Sequence, residues 1–349
     1  MQPFVMRHFL RTSLASLCAL LMLCAWPEAS WARAPDAFSP AQAANHLFSR
    51  AALALASRAD APANQRIAVI YPRLGEPYRS VFRQIVGGIE EAASDAVVSI
   101  ELDQDDSVEA LSRELAERRV GVVIALGRHG LQVAAQLPDA LPVVGGAVLA
   151  SPDDRPPTGT LVSLAPDPRQ MIDQLKRLAP SVQRVFVVYS PKENHWLVEL
   201  AAPAASARGL ELVPIATEDL RSALKEFHGI MDAAEVGRDA IWLPQDSRVL
   251  DDQVILPFVL QKAWDRSIVV FSSTLGHVRR GALFALYPDN EEMGHQLATS
   301  AKSILGQQRR PLIEPVNHLR LALNTRTAGH LGLNLEAIED EIALRFPAR

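Results

Sequence analysis

DAIWLPQD at 239–246, SIVVFSST at 267–274 and ALFALYPDN at 282–290 are three apolar runs, each emptying into a polar loop. The residues between them have helical spacing, so the segment reads strand, helix, strand, short helix, strand. The runs are rich in Val, Ile, Leu and Phe without regular polar alternation, the texture of strands covered on both faces in a parallel sheet. Such a sheet places Gln245, Asp246, Ser272, Ser273, Tyr287 and Asp289 at strand C-terminal ends. Ligands bind at that edge of an open α/β sheet, because short turns meet helix N-termini there and leave a crevice.

Outward from this segment the alternation holds. From Arg66 the chain reads RIAVIY, a helix near 78–93, VVSIEL, a helix near 108–118, and GVVIALG. LPVVGGAV, GTLVSLA, RVFVVYS and LELVPIAT follow, separated by helices or short loops. About five strands precede Pro166 and about five follow it, which predicts two doubly wound parallel-sheet lobes with a cleft between them. APDPRQ at 165–170 marks the joint: Asp167 caps, and Pro168 opens, a helix running to Leu178.

The N-terminus reads as an export signal. Arg7 and Arg11 precede an apolar run at 14–26, with small residues around Ala32 and Ala34. The run is shorter than the roughly 20 residues of a spanning helix. Cys18 and Cys24 each follow a leucine, which does not suit lipoprotein processing. A signal peptide at 1–32, with cleavage after 32 or 34, predicts a soluble periplasmic product. These are the chain's two cysteines, so the product would hold no disulfide or thiolate metal site. Residues 33–65 read as an Ala- and Pro-rich helical extension. The formal charge of −5 becomes −6 once Arg7, Arg11 and Glu28 are removed. A mildly acidic chain without a basic stripe argues against nucleic acid as partner.

RVFVVYSP, DAIWLPQDSRVLDD, SIVVFSST, GALFALYPDNEEMGHQLATSAKSIL and LALNTRTAGHLGL together resemble the ABC transporter substrate-binding proteins of the tryptophan/tyrosine-type group. The resemblance spans roughly 66–335 and is strongest after Asp167. It implies a type I periplasmic binding protein fold, a small polar ligand of amino-acid-like character closed between two lobes, and an inner-membrane ABC permease as partner. A membrane sensor or kinase fed by the same fold is the alternative. It also implies three crossings between lobes, with 66–166 and about 288–312 in lobe I, and 167–287 and about 313–349 in lobe II. The protein is expected to be a monomer without cofactor and without enzymatic activity.

Taken loop by loop, the resemblance implies a ligand site of Arg73, Glu76, Tyr78, Gly127, Arg128, His129, Ser190, Asn194, Gln245, Asp246, Ser273, Thr274, Tyr287 and Asp289. Arg73 or Arg128 would pair an anionic group, and Asp246 or Asp289 an amine. Tyr78 or Tyr287 would stack on an apolar portion. Arg128 and His129 depart from the family's pattern, in which this loop carries small residues. Asp246 and Ser247 also suit simple helix capping, and Arg128 a surface position on a first helical turn.

Other constellations carry little. Asp103, Asp105 and Asp106 lack the glycine and distal glutamate of a calcium loop. His277, His295, His318 and His330 are scattered, and no P-loop, nucleophile elbow or H-E-x-x-H motif is present. The Gly87-Gly88 pair sits inside an apparent helix, where close packing on a strand is expected.

Overall fold

The computed structural model describes residues 66–93, 97–154, 159–308 and 313–347. The export signal and the 33–65 extension lie outside the described residues. The first half runs β1 (Arg66–Pro72), α1 (Tyr78–Ala93), β2 (Val97–Leu102), α2 (Val108–Glu117), β3 (Val120–Leu126), α3 (Gly127–Ala134), β4 (Val143–Val148) and β5 (Gly159–Pro166). It continues α4 (Pro168–Leu178), β6 (Arg184–Tyr189), α5 (Pro191–Ala207), β7 (Glu211–Ala216), α6 (Leu220–Ala233), β8 (Asp239–Leu243), α7 (Ile255–Asp265), β9 (Val269–Ser272), α8 (Leu275–Arg280) and β10 (Phe284–Pro288). The chain ends with α9 (Asn290–Leu305), β11 (Ile313–Val316), β12 (Leu319–Asn324), α10 (Thr325–His330) and β13 (Ile342–Phe346).

These strands build two sheets. The first has the order β11-β5-β4-β3-β1-β2, and the second β13-β12-β10-β9-β8-β6-β7. Read inward from β2 and from β7, the two orders correspond, each reversing direction between its first and third strands. Such a reversal opens a crevice at the strand C-terminal ends, between β1 and β3 in one sheet and between β6 and β8 in the other. The strand centres are buried on both faces: Ile67, Ala68, Val69 and Ile70 of β1 and Ala240, Ile241, Trp242 and Leu243 of β8 are all inaccessible or nearly so. That burial explains the missing polar alternation in the sequence.

The second sheet is not wholly parallel. β12 pairs antiparallel with β10, Leu286 opposite Leu321, and β13 extends the edge parallel to β12. β13 has no counterpart in the sequence reading, because IALRF is short and half-buried. β11 also departs from expectation. It pairs with β5 in the first sheet, Ile313 beside Leu161, so the last crossing falls at 317–318 and not near 313.

The three crossings lie side by side. The Asp167 amide donates to the Val316 carbonyl at 3.1 Å, and the Asp289 amide to the His318 carbonyl at 3.0 Å. Gln170 Nε2 donates to the Asn317 carbonyl. α9 packs on α1 through two glycines, since a Cβ on Gly88 would overlap the Glu291 carbonyl and one on Gly294 the Ile85 carbonyl. The expected strand contact of Gly88 is therefore a helix contact, which only glycine permits at this spacing.

Candidate functional site

Each sheet reversal carries a group of the predicted residues, and the two groups differ. At the first, a cavity of about 900 Å³ opens among the loops after β1, β2, β3 and β4. Arg73, Gly127, Arg128 and His129 all line it. Gly127 has φ +73°, a left-handed conformation that turns β3 directly into α3, and Phe82 closes on the space where a Cβ would stand. That turn projects Arg128 from the first turn of α3.

The cations here are not equivalent. Arg73 Nε lies 3.2 Å from Glu101 Oε2, and its Nη1 3.2 Å from Asp103 Oδ2, so its charge is already answered by two carboxylates. His129 Nε2 approaches the Asp103 carbonyl at 3.4 Å. Arg128 is exposed and has no hydrogen bond or ion pair among the described residues. An uncommitted guanidinium on a cavity wall is a ready anion partner, with a planar fork that matches a carboxylate. The rest of the wall is largely apolar, with Leu74, Phe82, Leu149 and Leu164. Nearby, burial first and then the Glu101 and Glu90 charges push the Tyr71 hydroxyl above its ordinary pKa.

At the second reversal the polar side chains are spent on one another. Asp246 is 4% exposed. Its Oδ2 accepts from the Ser190 amide at 2.7 Å, Ser190 Oγ at 2.8 Å and Asn194 Nδ2 at 2.9 Å. Its Oδ1 accepts from the Arg248 amide at 3.1 Å. The carboxylate thus ties the β6 loop to the β8 loop, and the capping and tying roles coincide. The role of pairing a ligand amine does not fit this arrangement. Ser273 is committed as well, its Oγ accepting from Trp242 Nε1 at 3.0 Å and meeting Met171 Sδ at 3.5 Å.

Behind Ser273, the buried His277 sets the β9 loop. Its Nδ1 lies 2.7 Å from Ser272 Oγ, and its Nε2 3.5 Å from Asp252. Burial lowers its pKa below the ordinary value, with Arg280 adding to the effect and Asp252 opposing it. Thr274 stands at the N-terminus of α8.

A smaller cavity, about 50 Å³, joins the two lobes: Leu149 and Ala150 from the β4 loop face Asn194, Trp196 and Gln245. Leu149 lines both this space and the larger cavity. Gln245 is exposed, and its side-chain amide has no partner among the described residues.

Four candidates lie elsewhere. Glu76 Oε2 accepts from the Ser80 amide at the start of α1, and Tyr78, 65% exposed, stands on the same turn outside the cavity wall. Tyr287 and Asp289 are at the crossings. Asp289 caps α9 by accepting from the Glu291 and Glu292 amides, and burial holds the Tyr287 hydroxyl above its ordinary pKa.

Sequence reasoning missed Leu74, Phe82, Leu149 and Leu164. Leu149 was within reach of the rule that found the others, because it follows the C-terminal end of LPVVGGAV. Its apolar side chain simply gave no chemical signal. Among the described residues no group of His, Cys, Asp and Glu could hold a metal ion, and no helix is long and apolar enough to cross a membrane.

Residues 84–341 match the family model described as ABC transporter substrate binding protein. No curated protein matches the sequence. Among solved structures, the chain is similar to the ABC domain in complex with L-Trp from Streptococcus pneumonia, at 18% identity, covering 81% of this chain and 100% of that one, with a TM-score of 0.46. It is also similar to the ligand-free, open structure of a substrate binding protein with adhesive properties from Clostridium difficile. That pair is 17% identical over 81% of this chain and 100% of the other, with a TM-score of 0.56. The likeness to this second structure shows the fold of a substrate binding protein.

Proposed function

The chain belongs to the ABC transporter substrate-binding protein family, and from that premise we propose that it is an exported periplasmic receptor that delivers an amino-acid-like ligand to an ABC importer. In this reading 66–166 with 288–316 form one lobe and the remainder of the described chain the other. They rotate about the three adjacent crossings, and ligand contacts to both sides favour the closed state.

The observation that carries the reading is Arg128, a guanidinium without a partner among the described residues, on the wall of a cavity of about 900 Å³ at the first sheet's reversal. A ligand carboxylate takes its fork. The ligand's apolar portion lies against Leu74, Phe82, Leu149 and Leu164, and Gln245 reaches it from the opposite lobe. The second lobe contributes a rigid wall more than free charge.

A thermal-shift panel of the proteinogenic amino acids tests this, since any ligand that binds only the folded protein raises its melting temperature by mass action. At least one should stabilise the purified protein, and its carboxamide analogue should not. A flat panel at concentrations of about 10 mM would remove the amino-acid reading, because binding weaker than that is negligible for a scavenging receptor.

A further inference from the structure

A second cavity, of about 510 Å³, lies at the opposite end of the second sheet from the cleft. Topology fixes that position. Arg279, Arg280 and Gly281 precede β10, Asn324 ends the antiparallel β12 beside the start of β10, and Pro347 follows β13. The cleft loops follow the other ends of β6, β8 and β9.

Three arginines, Arg279, Arg280 and Arg326, stand on the wall of this cavity, and among the described residues no carboxylate does. In a chain of net charge −5 that is a local reversal of sign. Arg279 lies over the Phe346 ring with Cζ 5.6 Å from its centroid, and Arg326 over Trp264 at 5.2 Å. Trp264 is itself stacked on His330 with centroids 3.8 Å apart. Neither Arg279 nor Arg326 has an ion pair or hydrogen bond among the described residues. Arg280 is partly answered, donating to the Asp252 carbonyl at 2.6 Å with the Asp252 carboxylate 3.5 Å away.

A solvated surface arginine is ordinarily mobile and has a carboxylate within reach. Here the ring contacts hold the guanidinium planes while leaving their N–H edges free. The floor is fixed too: Asn324 Nδ2 donates to the Val278 carbonyl at 2.8 Å, and Thr327 Oγ1 to the Gly281 carbonyl at 2.9 Å, locking α8 to α10. We propose that this far cavity is a binding site for a phosphate-bearing anion, held by Arg279 and Arg326 with Arg280 in support. The site is independent of the cleft and of the ligand proposed for it.

Isothermal titration of the purified protein with inorganic pyrophosphate at low ionic strength tests the assignment. The expected result is saturable binding that Arg279→Gln/Arg326→Gln weakens at least about tenfold and Arg128→Ala leaves unchanged. The single change Arg279→Gln, which spares the Trp264 contact, should show part of the loss and covers the case of a double variant that fails to fold. Cosedimentation with vesicles of equal parts phosphatidylcholine and phosphatidylglycerol identifies the source. Pelleting that the double variant loses assigns the phosphate to a lipid headgroup, and pyrophosphate binding without pelleting assigns it to a soluble compound. No saturable binding, equal affinity in wild type and variants, or loss on Arg128→Ala would overturn the site.

Discussion

The loops after β1 and β3 in the first sheet correspond to those after β6 and β8 in the second, yet one pair leaves an open cavity and the other a closed network. In the first, Arg128 stands without a partner among the described residues, beside a largely apolar wall. In the second, Asp246 is buried and receives four donors, three of them from Ser190 and Asn194. The same topology therefore supports two uses of a charge at a sheet reversal. A charge with its hydrogen bonds filled stiffens a wall, whereas an unfilled one is open to a ligand.

The largest effect expected from this contrast is at Asp246. Asp246→Ala strands the Ser190 and Asn194 donors in a buried space, and chemical denaturation should show a loss of about 3 kcal/mol. A loss below about 0.5 kcal/mol would mean the network does not hold the loops together. Arg128→Ala should do the reverse: thermal unfolding within about 0.5 kcal/mol of wild type, but ligand affinity reduced about 30-fold, the worth of a charge-assisted pair. Were Arg128→Ala to destabilise the fold instead, the two sites would be alike after all. Ser190→Ala removes one hydroxyl donor while its amide still reaches Asp246, so a loss of about 1 kcal/mol is expected from the same denaturation experiment.

The smallest effect is a matter of pH. The folded pKa of His277 lies below its unfolded value near 6.5, so the fold favours the neutral ring. Its contribution to stability is then full above about pH 6.5 and declines as pH falls through the folded value. His277→Gln should flatten melting temperature against pH over that acidic range. An unchanged slope would free the β9 loop from dependence on this side chain.

Much of this was legible in the sequence, and the reasons differ by element. Buried strands such as RIAVIY and DAIWL announce themselves because both faces are covered. β13 does not, since a half-buried edge strand of five residues lacks that signature. The strand-end rule pointed to Gln245 and the family resemblance to Arg128 and Asn194, but residue type alone could not tell an open charge from a satisfied one. Asp246 and Ser273 look like ligand groups in sequence, and their partners, Ser190, Asn194 and Trp242, lie 31 to 56 residues away. Such pairing appears only once the sheet is assembled. Arg128 posed the opposite problem: its departure from the family pattern was visible, while its lack of a partner among the described residues was not.

The most direct test of the account pairs a variant with a ligand analogue. For an amino acid identified by thermal shift, titration calorimetry would measure its affinity and that of its carboxamide for wild type and for Arg128→Ala. The account predicts that wild type prefers the acid at least about tenfold and that Arg128→Ala loses the preference, since the guanidinium and the carboxylate would be one interaction. An equal preference in both proteins would contradict it, placing the ligand's negative group against some other part of the cleft.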